Sequence, residues 1–233
     1  LKIIILKYEK IFKNITIQND SINLGNYGIS AIGVASSGNG AGMTFSTNAL
    51  HVSGTSSIGD YGIYLQGIDS ASISANKIGN FVGTNAINDR GIWLGSGTKN
   101  TTILGNTIYN LTAPTSYGAY GIHIESGISN NGITVANNMI SNITGSGNNN
   151  NNATNKLSNP TGILLSGTQS GTNISFNSIH LYGATLNSNN AVSSCIRLDV
   201  STATIRNNIL INKLGRLATS TNTGILSIGI LAD

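Results

Sequence analysis

The sequence predicts an all-β chain wound as a right-handed parallel β-helix of about seven coils with Asn ladders. Three observations carry the prediction: a composition suited to short strands and turns, a column of Asn residues recurring every 28 to 39 positions, and a column of Gly-Ile pairs between them. Of 233 residues only 9% are charged, while Gly numbers 29 and Asn, Ser, Thr and Ile crowd the chain. Long helices would need more Ala, Leu, Glu and Lys, whereas many short strands joined by polar turns need this mixture.

The Asn column comes from aligning seven segments, Ile17 to Ile22, Phe45 to Leu50, Ile73 to Ile78, Ile103 to Ile108, Val135 to Ile140, Ile174 to Ile179 and Ile205 to Leu210. One position then reads Asp20, Asn48, Asn76, Asn106, Asn138, Asn177, Asn208, at successive spacings of 28, 28, 30, 32, 39 and 31. An apolar residue is kept three before and two after each member. At this bend the column Asn is expected to adopt the left-handed backbone that β-branched residues resist. Its amide is expected to hydrogen-bond from coil to coil as a ladder. Asp20, which accepts but does not donate, should weaken the ladder at its head. A shorter strand leaves the bend through Ile78, Ile108, Ile140 and Ile179, and a partial column of Asn80, Asn110, Asn142 and Asn212 suggests a second bend ladder.

The second column pairs Gly28, Gly62, Gly91, Gly121, Gly162, Cys195 and Gly224 with the Ile that follows each. It opens another strand, as in Gly62-Ile63-Tyr64-Leu65, with period-two alternation. Strands this short cannot bury a face alone, so successive coils must stack around a shared core of Ile, Leu and Val columns. The repeat Ile-x-x-Asn-x-Ile-x-Asn resembles the parallel β-helix repeats of the pectate-lyase-like superfamily over nearly the whole chain. That resemblance implies the fold and leaves activity open, because the superfamily includes polysaccharide lyases, glycosidases, phage tailspikes and adhesins.

The chain reads as a single β-helix domain, 1–233, and as a piece of a longer polypeptide, since it starts at Leu1. Extra length falls between the third strand and the next Gly column, in Ala113 to Ala119, in an Asn-rich insertion over 144–160, and in Gly183 to Ser194. These insertions should emerge along one edge, where such folds elaborate binding sites.

Several function classes are excluded. Four of the 12 basic residues (Lys2, Lys7, Lys10, Lys13) crowd the N-terminus and the body is nearly neutral, so the basic stripe of a nucleic-acid binder is missing. The run Ile3 to Leu6 is too short for a membrane span. A lone Cys195, filling a slot otherwise Gly, allows neither an internal disulfide nor a cysteine zinc site and reads as a small buried residue. His51, His123 and His180 have no ligand spacing, and no cofactor motif appears, so no metal and no cofactor are expected.

Residues two and four after the Gly column should point outward. The first rank reads Ser30, Tyr64, Trp93, His123, Leu164, Arg197 and the second Ile32, Gln66, Gly95, Glu125, Ser166, Asp199. Aromatic rings beside polar groups suit a carbohydrate surface, so Tyr64, Trp93, His123, Gln66 and Arg197 are the glycan-binding candidates. Glu125 and Asp199, two coils apart and so roughly 10 Å between backbones, with His123 and Arg197, are the catalytic candidates for a lyase or hydrolase. The resemblance fails there: the chain has no Asn-Thr-Asp, Asp-Asp and Gly-His-Gly set as in polygalacturonases and no Arg-x-Pro-x-x-Arg as in pectate lyases. A Thr/Ser rank, Thr16, Thr44, Ser72, Thr102, Thr134 and Thr204, needs no function on an exposed strand.

The expectation is a non-catalytic segment of a secreted or cell-surface bacterial protein, structural or adhesin-like, with polysaccharide or a cell-surface glycan as partner. The alternatives are a polysaccharide lyase or glycoside hydrolase, and a self-associating filament or stalk in which further coils or subunits stack on open ends.

Overall fold

A computed structural model describes residues 3–5, 12–23, 25–33, 40–51, 58–82, 87–113, 116–151 and 157–233, apart from the side chains of residues 3–5, 51 and 82. The described residues form three parallel sheets of eight, seven and seven strands. One coil runs through Ile58–Gln66 in the first sheet, Ser72–Ser74 in the second and Lys77–Val82 in the third, and Arg90–Leu94 then returns to the first. Each strand pairs with its counterpart one coil away, so the protein is a parallel β-helix of about six turns between the first and last of its seven stacked copies.

The inward columns close as the repeat requires. Ile63, Ile92, Ile122, Ile163 and Ile196 lie in register across the first sheet and are fully buried. Ile73, Ile103, Val135 and Ile174 do the same in the second, and Ile78, Ile108, Ile140 and Ile179 in the third. The Gly column exists because the first and third sheets approach closely at this level. A Cβ on Gly121 would lie 2.6 Å from the Gly162 carbonyl oxygen and 2.7 Å from Cγ2 of Ile140. Cys195 is the exception, and the residue in register with Ile179 one coil on is Leu210, which has no methyl branch at Cβ. The thiol is buried, and burial pushes it up to about 12, which leaves it unionised at neutral pH. The last member of the column is Gly229, not Gly224, because Ile196 pairs with Ile230. Gly224 instead turns the chain at φ 70°.

The buried Asn ladder is continuous. Asn76 Oδ1 accepts from the backbone N–H and the Nδ2 of Asn48 at 2.9 and 3.0 Å, and Asn106 Oδ1 accepts from Asn76 at 3.0 and 2.9 Å. Asn138, Asn177 and Asn208 extend the pattern. Each amide also donates back, as Asn106 Nδ2 does to the Ile73 carbonyl at 2.9 Å. At the head, Asp20 contributes only its backbone N–H, to Asn48 Oδ1 at 3.0 Å.

One expectation about the bend is corrected. The left-handed residue is the one before each ladder Asn: Thr47 (φ 54°), Ala75 (54°), Gly105 (65°), Asn137 (55°), Phe176 (58°) and Asn207 (54°). The ladder Asn must turn inward to its stack, so its predecessor takes the strain. The second Asn column does sit in left-handed backbone, at Asn80, Asn110 and Asn142, with Nδ2-to-Oδ1 bonds of 2.9 and 2.8 Å between successive members. It ends there: buried Leu181 occupies the next place, and Asn212, in register with Leu181, donates to the Ser193 carbonyl.

Candidate functional site

The first sheet's outer face carries the chemistry, and its first rank stacks in the expected order: Ser30 against Tyr64, then Trp93, His123, Leu164 and Arg197. In the second rank, Ile32 pairs with Gln66, while Glu125, Ser166 and Asp199 each donate a backbone N–H to the residue ending the strand one coil earlier.

A third rank escaped the sequence reading: Tyr27, Tyr61, Arg90, Tyr120, Thr161, Ser194, each directly before the Gly column. Strict alternation would send these side chains into the core. Gly62 and Ile63 both face inward, however, since a Cβ on Gly62 would lie 2.8 Å from Ile78 Cγ2. The double inward step works as a bulge and turns Tyr61 onto the outer face. The Gly itself was the available signal, because a Gly inside a strand often marks a bulge.

The two aromatic ranks interlock. Tyr64 and Trp93 stack at 4.3 Å and 28°, Tyr61 meets Trp93 at 4.9 Å, and Tyr27 meets Tyr61 edge-on at 5.0 Å. Trp93 lies parallel to His123 at 6.0 Å and 4°, and Tyr120 meets His123 edge-on at 5.2 Å. The Arg90 guanidinium lies over this belt, 4.3 Å from the Trp93 ring centre and 5.0 Å from that of Tyr61, a cation–π arrangement. Many ring faces are therefore spent on one another. Trp93 Nε1 is buried with no hydrogen-bond partner among the described residues.

The catalytic candidates do not share one environment. His123 is 4% exposed; its Nδ1 accepts from Arg90 Nε at 2.9 Å and its Nε2 meets Ser166 Oγ at 2.7 Å. Burial, and then the Arg90 charge, hold the imidazole well below its usual range, so it is neutral at physiological pH. Arg197 is 1% exposed and bonds Asp233 and Asn150 Oδ1. Glu125 is exposed, whereas Asp199 is buried, with Ser166 between them in the rank.

The rank expected to lie open is thus closed at His123, Leu164 and Arg197. Described parts of the 144–160 insertion reach it, through Asn150 on Arg197 and the Leu157 carbonyl, which accepts from the Tyr120 hydroxyl. Residues 152–156 of the insertion, Lys2, Lys7 and Lys10, and the His51 side chain lie outside the described residues. Tyr27, Tyr64, Gln66, Trp93 and Arg90 remain half-buried. The Tyr64 hydroxyl donates to Gln66 Oε1 and is pushed up to about 12, chiefly by burial, so it stays protonated.

Among the described residues no three His, Cys, Asp or Glu side chains gather to hold a metal ion, and no helix is long and apolar enough to cross a membrane. The chain matches no family model, no curated protein and no solved structure.

Proposed function

We propose that this chain is a non-catalytic structural segment of a secreted or surface-exposed bacterial protein, a rigid spacer whose half-open aromatic strip is adhesin-like and contacts carbohydrate. The observation that carries the non-catalytic reading is the engagement of two of the four catalytic candidates: both ring nitrogens of His123 and the guanidinium of Arg197 have intramolecular partners, which leaves exposed Glu125 without either beside it in a free state. A general acid or base needs hydrogen-bond reach to a substrate. The strip of Tyr27, Tyr64, Trp93 and Arg90, beside Gln66 and exposed Glu125, supplies apolar edges and polar groups for a sugar chain. Export fits the low-charge, single-cysteine composition rich in Asn, Thr, Ser and Gly. Retention on immobilised neutral and acidic polysaccharides tests the binding part. The expected result is retention by wild type that is lost in Trp93→Ala; retention unaffected by that change, or none at all, removes the strip from the proposal.

A second reading is end-to-end self-association, with further coils or subunits stacking on the last described coil. Ile230 is 48% exposed, whereas Ile196, its partner one coil inward, is fully buried. Light scattering over a concentration series should then show masses above the monomer that return to monomer in Ile230→Lys. A monomer at every concentration counts against this reading.

A further inference from the structure

The half-buried Arg90 is fastened from several sides. Besides Trp93 and Tyr61, the Tyr120 ring lies 5.6 Å from its guanidinium carbon. Nη1 donates to the Asn88 carbonyl at 3.0 Å and Nε donates to His123 Nδ1 at 2.9 Å. An arginine only donates, so Nδ1 carries no proton. The ring proton is therefore on Nε2, where it donates to Ser166 Oγ at 2.7 Å. The groups packed around the imidazole are Arg90 and Trp93 from the preceding coil, Tyr120 on its own strand and Ser166 from the next coil. Glu125 and Arg197 act at longer range on the same belt, both on Tyr120. Among the described residues no carboxylate is bonded to His123, so a charge on the ring would face only the cation of Arg90.

We infer that Arg90 and His123 form an acid-operated latch on the aromatic strip. Proton uptake at Nδ1 replaces the acceptor of the Arg90 Nε–H with a second N–H and sets a second positive charge against the guanidinium. Arg90 then leaves the rings, and the Trp93 and Tyr61 surfaces beneath it open to solvent. Burial and Arg90 itself oppose this protonation, which keeps the latch closed at neutral pH and places its opening on the acid side. The device concerns access to the strip and stands whether or not the strip binds a glycan.

Trp93 is the single tryptophan of the chain and lies beneath the latch, so its fluorescence reports on it directly. The test measures quenching of Trp93 by acrylamide, a neutral quencher, from pH 7.5 downward, with far-UV circular dichroism recorded on the same samples. Wild type should show a reversible, several-fold rise in quenching while the β-sheet spectrum is unchanged. His123→Gln, which keeps an acceptor that cannot be protonated, should stay protected over that range. Arg90→Ala should be open already at neutral pH and gain little on acidification. A wild-type rise that coincides with loss of the β-sheet spectrum, a His123→Gln curve that follows wild type, or an Arg90→Ala protein as protected as wild type would each overturn the latch.

Discussion

At the residue scale, the interior ladder Asn is a demanding position, because three groups depend on an amide such as that of Asn106. Removing Asn106 strands the backbone N–H of Asn76, one of the two N–H groups on its Nδ2 (the other stays on the Phe45 carbonyl) and the carbonyl of Ile73, all in a buried corner. At roughly 1–3 kcal/mol for each buried group left unpaired, partly offset by relaxation, Asn106→Ala should destabilise by about 2–4 kcal/mol. Asp20→Asn, at the exposed head, should stay within about 0.5 kcal/mol. Chemical denaturation of the variants checks both, and equal effects at the two positions would refute a buried, load-sharing ladder. The column was legible in the sequence because spacing and flanking Ile residues fix it. Its backbone conformation was not, since Asn is a left-handed residue by habit and only the packed corner shows that its predecessor makes the bend.

At the scale of the element, the first-sheet strand shows how far alternation can be trusted. Residues after the Gly alternate as expected and set Tyr64, Trp93 and His123 in one file; residues before it are reversed by the double inward step at Gly and Ile. Hence half of the aromatic belt was legible and Tyr27, Tyr61, Arg90 and Tyr120 were not. Burial of the file at His123, Leu164 and Arg197 was hidden too, because the sequence marks an insertion over 144–160 without saying which way it folds. The buried, neutral His123 gives the sheet a definite pH response. Its folded-state affinity for protons is depressed, so below the unfolded value of about 6.5 the unfolded chain binds a proton that the folded chain refuses. Stability contributed by this site is therefore full above that pH and lost as pH falls, at up to about 1.4 kcal/mol per pH unit. Denaturation midpoints between pH 7.5 and 5.5 should decline in wild type and flatten in His123→Gln; parallel curves would mean that other groups govern the response.

For the whole molecule, about six turns in which each described strand pairs with its counterparts in the adjoining coils make a one-dimensional stack. The fold was legible end to end because each coil repeats the same two columns. The last coil was misread at one point, where two Gly-Ile pairs, at Gly224 and Gly229, compete for one slot and only the length of the preceding turn decides. In that coil Ile230 is 48% exposed where Ile196, its partner one coil inward, is fully buried, while Ile209 and Ile211 take outward places of the third sheet, in register with Ser178 and His180.

The non-catalytic reading is tested most directly by incubating the purified chain with a panel of neutral and acidic polysaccharides and counting new chain ends, with Glu125→Ala as control. No new ends above a protein-free blank is the expected result. Ends released by wild type and abolished in Glu125→Ala would contradict it and make the exposed carboxylate part of an active site.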